Sequence, residues 1–202
     1  MDAVLASYAA DATPELIAGY DALPSADIYA PVLDLFPHAP ARIADIGAGT
    51  GRDAAWLARQ GHRVLAVEPV RAFREAGARL HGDTVEWLDD RLPDLESVRQ
   101  CEPFDLVLLC AVWHHLDTPD RARTMRSLAR IVAPGGRLIL SLRHDPTPER
   151  LSFPAPAEEA IALAQSGGFR LVRQTGAESV HADSRAKGVH WTWVALTGDK
   201  PV

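Results

Sequence analysis

Residues 44–51 read ADIGAGTG, an apolar run that ends in Asp45 and passes into Gly47, Gly49 and Gly51. Glycines at that spacing remove Cβ atoms where a strand turns into a helix, so backbone amides at the helix start can approach the polar end of a ligand. Asp45 places a carboxylate acceptor beside them. The dinucleotide fingerprint G-x-G-x-x-G needs its third glycine one position later than Gly51, where this chain has Arg52; an NAD site is disfavoured although the architecture would be the same. A second carboxylate, Glu68, closes the apolar run RVLAVEP. Beyond the C-terminal edge of a buried parallel strand, it can accept hydrogen bonds from both hydroxyls of a ribose. A third group, His114 and His115, follows the apolar run 104–110. An imidazole with an ordinary pKa there suits general-base work.

Such groups need a scaffold, and the hydrophobic pattern supplies one. Strands are expected at 42–46, 63–67, 85–88, 104–110 and 137–142, alternating with helices at 53–60, 70–80, 93–99 and 119–132. That βα repetition implies a parallel sheet. The first 40 residues read as helices, with Thr13 as an N-cap before Pro14 and Ser25 as the cap of a helix leading toward Phe36. After residue 143 the character changes. Residues 144–160 hold four prolines and read as a loop leading into a helix that ends near Gly167. Strands are expected at 169–175 and 190–197, separated by a polar, mobile loop over 176–189.

In order, these motifs resemble the class I S-adenosylmethionine-dependent methyltransferases of small-molecule type, over residues 42–143. DIGAGTGRDAAWLA is similar to the family's first motif and VLAVEP to its acidic second strand. VEWLDDRLPDL is similar to its third strand with acidic turn, FDLVLLCAVWHHL to its fourth strand, and LARIVAPGGRLILSL to the helix, Pro-Gly-Gly turn and fifth strand. The resemblance implies an α/β fold: a Rossmann-like, doubly wound, seven-stranded, mostly parallel sheet with an antiparallel last strand and an N-terminal helical cap. It implies a single domain over 1–202, divided into cap (1–40), cofactor core (41–143) and acceptor-side completion (144–202). The implied cofactor is S-adenosyl-L-methionine, with S-adenosyl-L-homocysteine as product.

By the same resemblance Asp45, Gly47, Ala48, Gly49 and Gly51 hold the methionine end, Glu68 the ribose, and Asp89 the adenine amino group, with Asp90 left open as its alternative. Leu88 and Pro69 wall the nucleoside and Cys110 completes the cofactor set. His114 is the candidate general base; His115 could serve the same way, is a candidate for the acceptor side, and by the resemblance has a structural role. Trp113, Tyr8, Tyr20 and Arg143 are candidates for the acceptor side. No metal site is implied, because no acidic triad is present.

Composition narrows the partners. A formal charge of −6 argues against a protein that grips nucleic acid through many phosphates. Cys101 and Cys110 are too few for a disulfide or zinc framework. No apolar run approaches the ~20 residues of a membrane span, and the cytoplasm is the expected compartment. Arg121, Arg123, Arg126 and Arg130 read as a solvated helix face. The expected activity is methyl transfer to an O, N or S atom of a small molecule. Two other readings stay open: an RNA or protein methyltransferase with the same cofactor site, and a non-catalytic protein that keeps the fold.

Overall fold

The computed structural model describes residues 1–145 and 148–199; the loop expected at Pro146 and Thr147 lies outside them. Three short helices come first, α1 (Asp2–Asp11), α2 (Pro14–Asp21) and α3 (Ser25–Tyr29). There follow β1 (Arg42–Ile46), α4 (Arg52–Ala58), β2 (Arg63–Val67), α5 (Arg71–His81), β3 (Glu86–Leu88), β4 (Phe104–Leu109), α6 (Thr118–Ile131) and β5 (Val132–His144). The chain closes with α7 (Ala157–Ser166), β6 (Phe169–Glu178), α8 (Ala182–Ala186) and β7 (His190–Gly198).

The seven strands form one sheet in the order β3-β2-β1-β4-β5-β7-β6. The first five are parallel, and β7 runs antiparallel between β5 and β6. Period-two alternation divides the strand residues between two faces. Val107, Leu109, Leu138, Leu140, Val194 and Leu196 pack with Met125 and Leu128 of α6 and Ala160 of α7. Leu106, Leu108, Ile139 and Ala195 pack on the other face with Ala54 and Leu57 of α4 and Tyr29 of α3. Helices on both faces make the sheet doubly wound. Strand order reverses between β1 and β4, and in open α/β sheets ligands bind beyond the strand ends at that reversal.

Several local expectations change. Thr13 caps α2 by accepting from Leu16 N at 3.3 Å, but α3 stops at Tyr29 and the Ser25 hydroxyl goes elsewhere, donating to Asp53 Oδ1 at 2.6 Å. In place of a helix at 93–99 there is one 3₁₀ turn at Val98–Gln100. Part of the loop expected at 176–189 forms α8. Arg121 leaves the solvated stripe: its guanidinium is buried, donating to Glu159 Oε2 at 2.7 Å and to the Pro154 carbonyl at 2.8 Å. No helix among the described residues is long and apolar enough to cross a membrane.

Candidate active site

A cavity of about 650 Å³ opens at the β1/β4 reversal, within the range of small-molecule sites. At its near end the chain leaves β1 through the glycine turn, where Gly47 N and Ala48 N donate to the Val67 carbonyl at 2.8 and 3.1 Å. All three glycines have positive φ, but a side chain would meet a different fate at each. A Cβ on Gly47 would strike Val112 Cγ2 at 2.6 Å, and one on Gly51 would strike the Trp87 ring at 2.6 Å. On Gly49 it would meet nothing within 4 Å, and Gly49 lines the cavity. Gly51 does not line it, so the expectation of a cofactor contact is corrected: its hydrogen makes room for an indole. Ala48 does line the cavity.

Two buried carboxylates border this turn. Asp45 is 2% exposed and its Oδ2 has no hydrogen-bond partner; burial first, then the neighbouring Asp53 charge, hold its pKa well above the usual carboxylate range. Glu68 accepts from Gly49 N through Oε2 at 2.8 Å and from Val70 N through Oε1 at 2.7 Å. Burial raises its pKa while those two amides pull it down. Each Glu68 oxygen keeps a second lone pair for a ligand hydroxyl. Pro69 and Val70 form an apolar wall beside it.

The third strand's acids separate. Asp89 turns outward and pairs with Arg74 at 2.6 Å, whereas Asp90 lines the cavity with its carboxylate accepting from Ser97 N at 2.8 Å and Val98 N at 2.9 Å. Leu88 is also absent from the lining and packs against the core. Of the two acids left open, Asp90 is the one that lines the cavity, and the expected adenine contact at Asp89 and wall at Leu88 lie outside its lining. A three-residue strand gives too little alternation to fix which of two adjacent acids faces inward.

One group that sequence reasoning passed over lies next to Asp45. Arg52 clasps Asp53 with Nε and Nη2, both at 2.8 Å, and donates from Nη1 to the Tyr20 carbonyl at 3.0 Å. Asp53 also receives the hydroxyls of Ser25 and Tyr29, at 2.6 and 3.1 Å. Five residues from three helices thus brace the near wall. The Arg-Asp pair immediately after the glycines was the available signal.

The far end lies beyond β4, β5 and β7. Cys110 lines it, with burial pushing its thiol up to about 12. Ala111 follows at φ 59°, an uncommon conformation for alanine, held by donation from its amide to Ser141 Oγ at 2.8 Å. His114 lines the cavity but is 5% exposed with an unpartnered Nδ1. Burial, then His115, Arg143 and Arg121, push its pKa down to about 2, so the near-neutral value expected of a base is corrected. His115 Nδ1 lies 2.7 Å from the Leu151 carbonyl, which can only accept, so that nitrogen carries the proton. Its Nε2 is then an acceptor for the Tyr8 hydroxyl at 2.9 Å, a link across 107 residues of sequence. Burial raises the Tyr8 pKa to about 12. Tyr20 lines the same region from α2, its pKa also raised by burial. Trp113 does not line the cavity. Its indole is fully buried in the core with Arg121 stacked 6.0 Å away, because the 3₁₀ turn at Trp113–His115 points it inward. Trp191 and Trp193 of β7 supply the aromatic walls instead, and Arg143 lies among them. Among the described residues no three His, Cys, Asp or Glu side chains gather as a metal site.

Residues 44–140 match the family model described as a methyltransferase domain. The chain is 31% identical over 144 residues to an uncharacterized methyltransferase of Mycobacterium tuberculosis, covering 60% of this chain and 56% of that one. It is 36% identical over 104 residues to the ubiquinone biosynthesis O-methyltransferase of Xylella fastidiosa, covering 50% and 41%. The chain spans about half the length of these relatives. Among solved structures, N-methyltransferase NodS of Bradyrhizobium japonicum in complex with S-adenosyl-L-homocysteine superposes with a TM-score of 0.71 at 18% identity, covering 97% of each chain. The 1,6-didemethyltoxoflavin-N1-methyltransferase of Burkholderia thailandensis does so with a TM-score of 0.69 at 22% identity, covering 96% of this chain and 85% of that one.

Proposed function

From a chain with the class I methyltransferase fold, we propose an S-adenosylmethionine-dependent methyltransferase that acts on an O, N or S atom of a small molecule in the cytoplasm. The observation that carries the reading is one cavity running from the open face of Gly49 to Arg143 and Trp191, roofed by residues of α1 and α2. The residues fit the cofactor on two counts. Gly49 leaves a space that any side chain would fill, and Asp45 Oδ2 is a buried carboxylate oxygen still lacking the donor that an ammonium group would bring.

Asp45 and the amides of the glycine turn would hold the amino-acid end, Glu68 the ribose hydroxyls and Asp90 the adenine edge. Bound there, S-adenosylmethionine supplies a methyl group already activated by a positive sulfur. The protein's remaining work is to align the acceptor and exclude water. Tyr8, tied to His115, fixes α1 over the acceptor end. His114 is held neutral and serves as an uncharged wall.

Isothermal titration of the intact protein with S-adenosyl-L-homocysteine tests the reading. Saturable one-site binding that is lost in Asp45→Asn/Glu68→Gln supports it. Absence of binding to the parent protein, by heat and by thermal shift, overturns it.

A further inference from the structure

We propose, resting on the methyltransferase reading, that the acceptor is a flat aromatic acid, with a phenolic O–H, an aryl S–H or a heterocyclic N–H, held as its anion by Arg143 and Arg150 beside Trp191 and Tyr8. Two guanidinium groups lie on aromatic faces at the far end of the cavity. Arg143 Cζ is 5.6 Å from the Trp191 ring centre and Arg150 Cζ is 4.5 Å from that of Tyr8. All four residues line the same cavity. Aromatic walls carrying cations suit a planar, delocalised anion.

Most of the groups at the far end that could take a proton are paired, opposed by a cation or exposed on the rim. Both His115 nitrogens are committed, to Leu151 and Tyr8, and His114, with Nδ1 unpartnered, is buried where Arg143 and Arg121 oppose a positive charge on it. Asp145 accepts from Arg143 at 2.7 Å, and Glu149 from Lys187 at 2.8 Å. His181, Glu178 and Asp183 are exposed on the rim, and Asp11 holds Arg150 from outside at 2.7 Å. This arrangement favours an acceptor that arrives with its nucleophilic lone pair already free. Charge accounting points the same way. An anion's lone pair forms the new bond to the methyl carbon while the sulfur–methyl pair stays on sulfur, so a cation and an anion give two neutral products and no proton moves. A neutral amine would instead leave a cationic product beside Arg143 and Arg150.

The test uses p-nitrophenol, whose phenolate is read by its visible absorbance, with 4-nitroanisole as the neutral isostere. Both are titrated into intact protein with and without saturating S-adenosyl-L-homocysteine. Bound p-nitrophenol should ionise about one pH unit below the free compound, and 4-nitroanisole should bind about tenfold more weakly or worse. Arg143→Gln should return the midpoint toward the free value without changing S-adenosyl-L-homocysteine affinity, and Arg143→Lys should keep most of the shift. The proposal is overturned if p-nitrophenol fails to bind, if it titrates at or above its free value, if the ether binds equally well, or if neither Arg143→Gln nor Arg150→Gln moves the midpoint. If S-adenosyl-L-homocysteine does not bind while the nitrophenol behaves as expected, the cofactor reading fails and the anion site stands.

Discussion

The two ends of the cavity are built in different ways. At the near end, Asp45, Gly47, Gly49, Arg52 and Asp53 fall within nine residues, and Glu68 joins them from the neighbouring parallel strand, where Ile46 pairs with Val67. Backbone amides do much of the binding, and the strand register delivers the carboxylate. At the far end Tyr8, His114, Arg143, Arg150 and Trp191 come from five separate stretches, joined by side-chain contacts such as Tyr8 to His115 and Arg143 to Trp191. A site made of strand ends is tied to the fold itself. At the far end Arg143 and Trp191 are paired across β5 and β7, but Tyr8, His114 and Arg150 come from the cap and loops and can change without disturbing the sheet.

The largest contrast can be broken at the glycines. Gly49→Val should abolish S-adenosyl-L-homocysteine binding, because the side chain enters open cavity, at a stability cost limited to the backbone strain of its positive φ, about 1–2 kcal/mol. Gly51→Val should cost more stability and touch no cavity wall. It drives a Cβ into Trp87 at positive φ and should cost about 2–5 kcal/mol of stability. Titration calorimetry and thermal denaturation of the pair separate the two effects; equal loss of binding and stability in both would erase the distinction.

At the far end, the test is acid. The folded state holds His114 at about 2 against an ordinary 6.5, so it refuses a proton that the unfolded chain accepts. That contribution to stability is complete above pH 6.5 and is lost as pH falls toward 2. Denaturation midpoints measured across this window should drop more steeply for the parent than for His114→Gln. Matching slopes would mean that His114 charges freely.

Glu68 joins the two concerns of binding and fold. Its carboxylate satisfies Gly49 N and Val70 N as well as offering ribose acceptors, so Glu68→Ala should weaken cofactor binding and stability together, by about 1–3 kcal/mol each. Glu68→Gln keeps one oxygen acceptor and should lose less of both.

The smallest effect concerns Asp45. Its raised pKa stores a proton in the free protein at pH values above the usual carboxylate range, and a cationic ligand group would favour release. Binding should therefore liberate a fraction of a proton and strengthen as pH rises through that window. Calorimetry in buffers of different ionisation enthalpy detects it, and Asp45→Asn should remove it.

How far these features were legible follows from the physics of each. Strand β1 was readable to the residue, since the short run IADI, buried at all four positions, followed by spaced glycines admits few alternatives. Residues 93–99 misled: Leu95 and Val98 have helical spacing after Pro93, yet both are buried in turns under α6 rather than along a helix. Trp113 and Arg121 misled in a related way, because an indole or a guanidinium can face solvent, ligand or core, and only their packing against each other decides.

The sequence by itself determined the parallel βα core, the sharp turn after Asp45 and the acid at the end of β2, since periodicity and glycine spacing act between residues near in the chain. The tertiary structure decided the rest. It showed that Gly51 serves Trp87, that Asp90 and not Asp89 faces inward, that His114 is too buried to charge, and that Tyr8 meets His115. Each of those outcomes depends on burial or on a partner brought near by folding, and the energy of a polar group is set by its surroundings more than by its type.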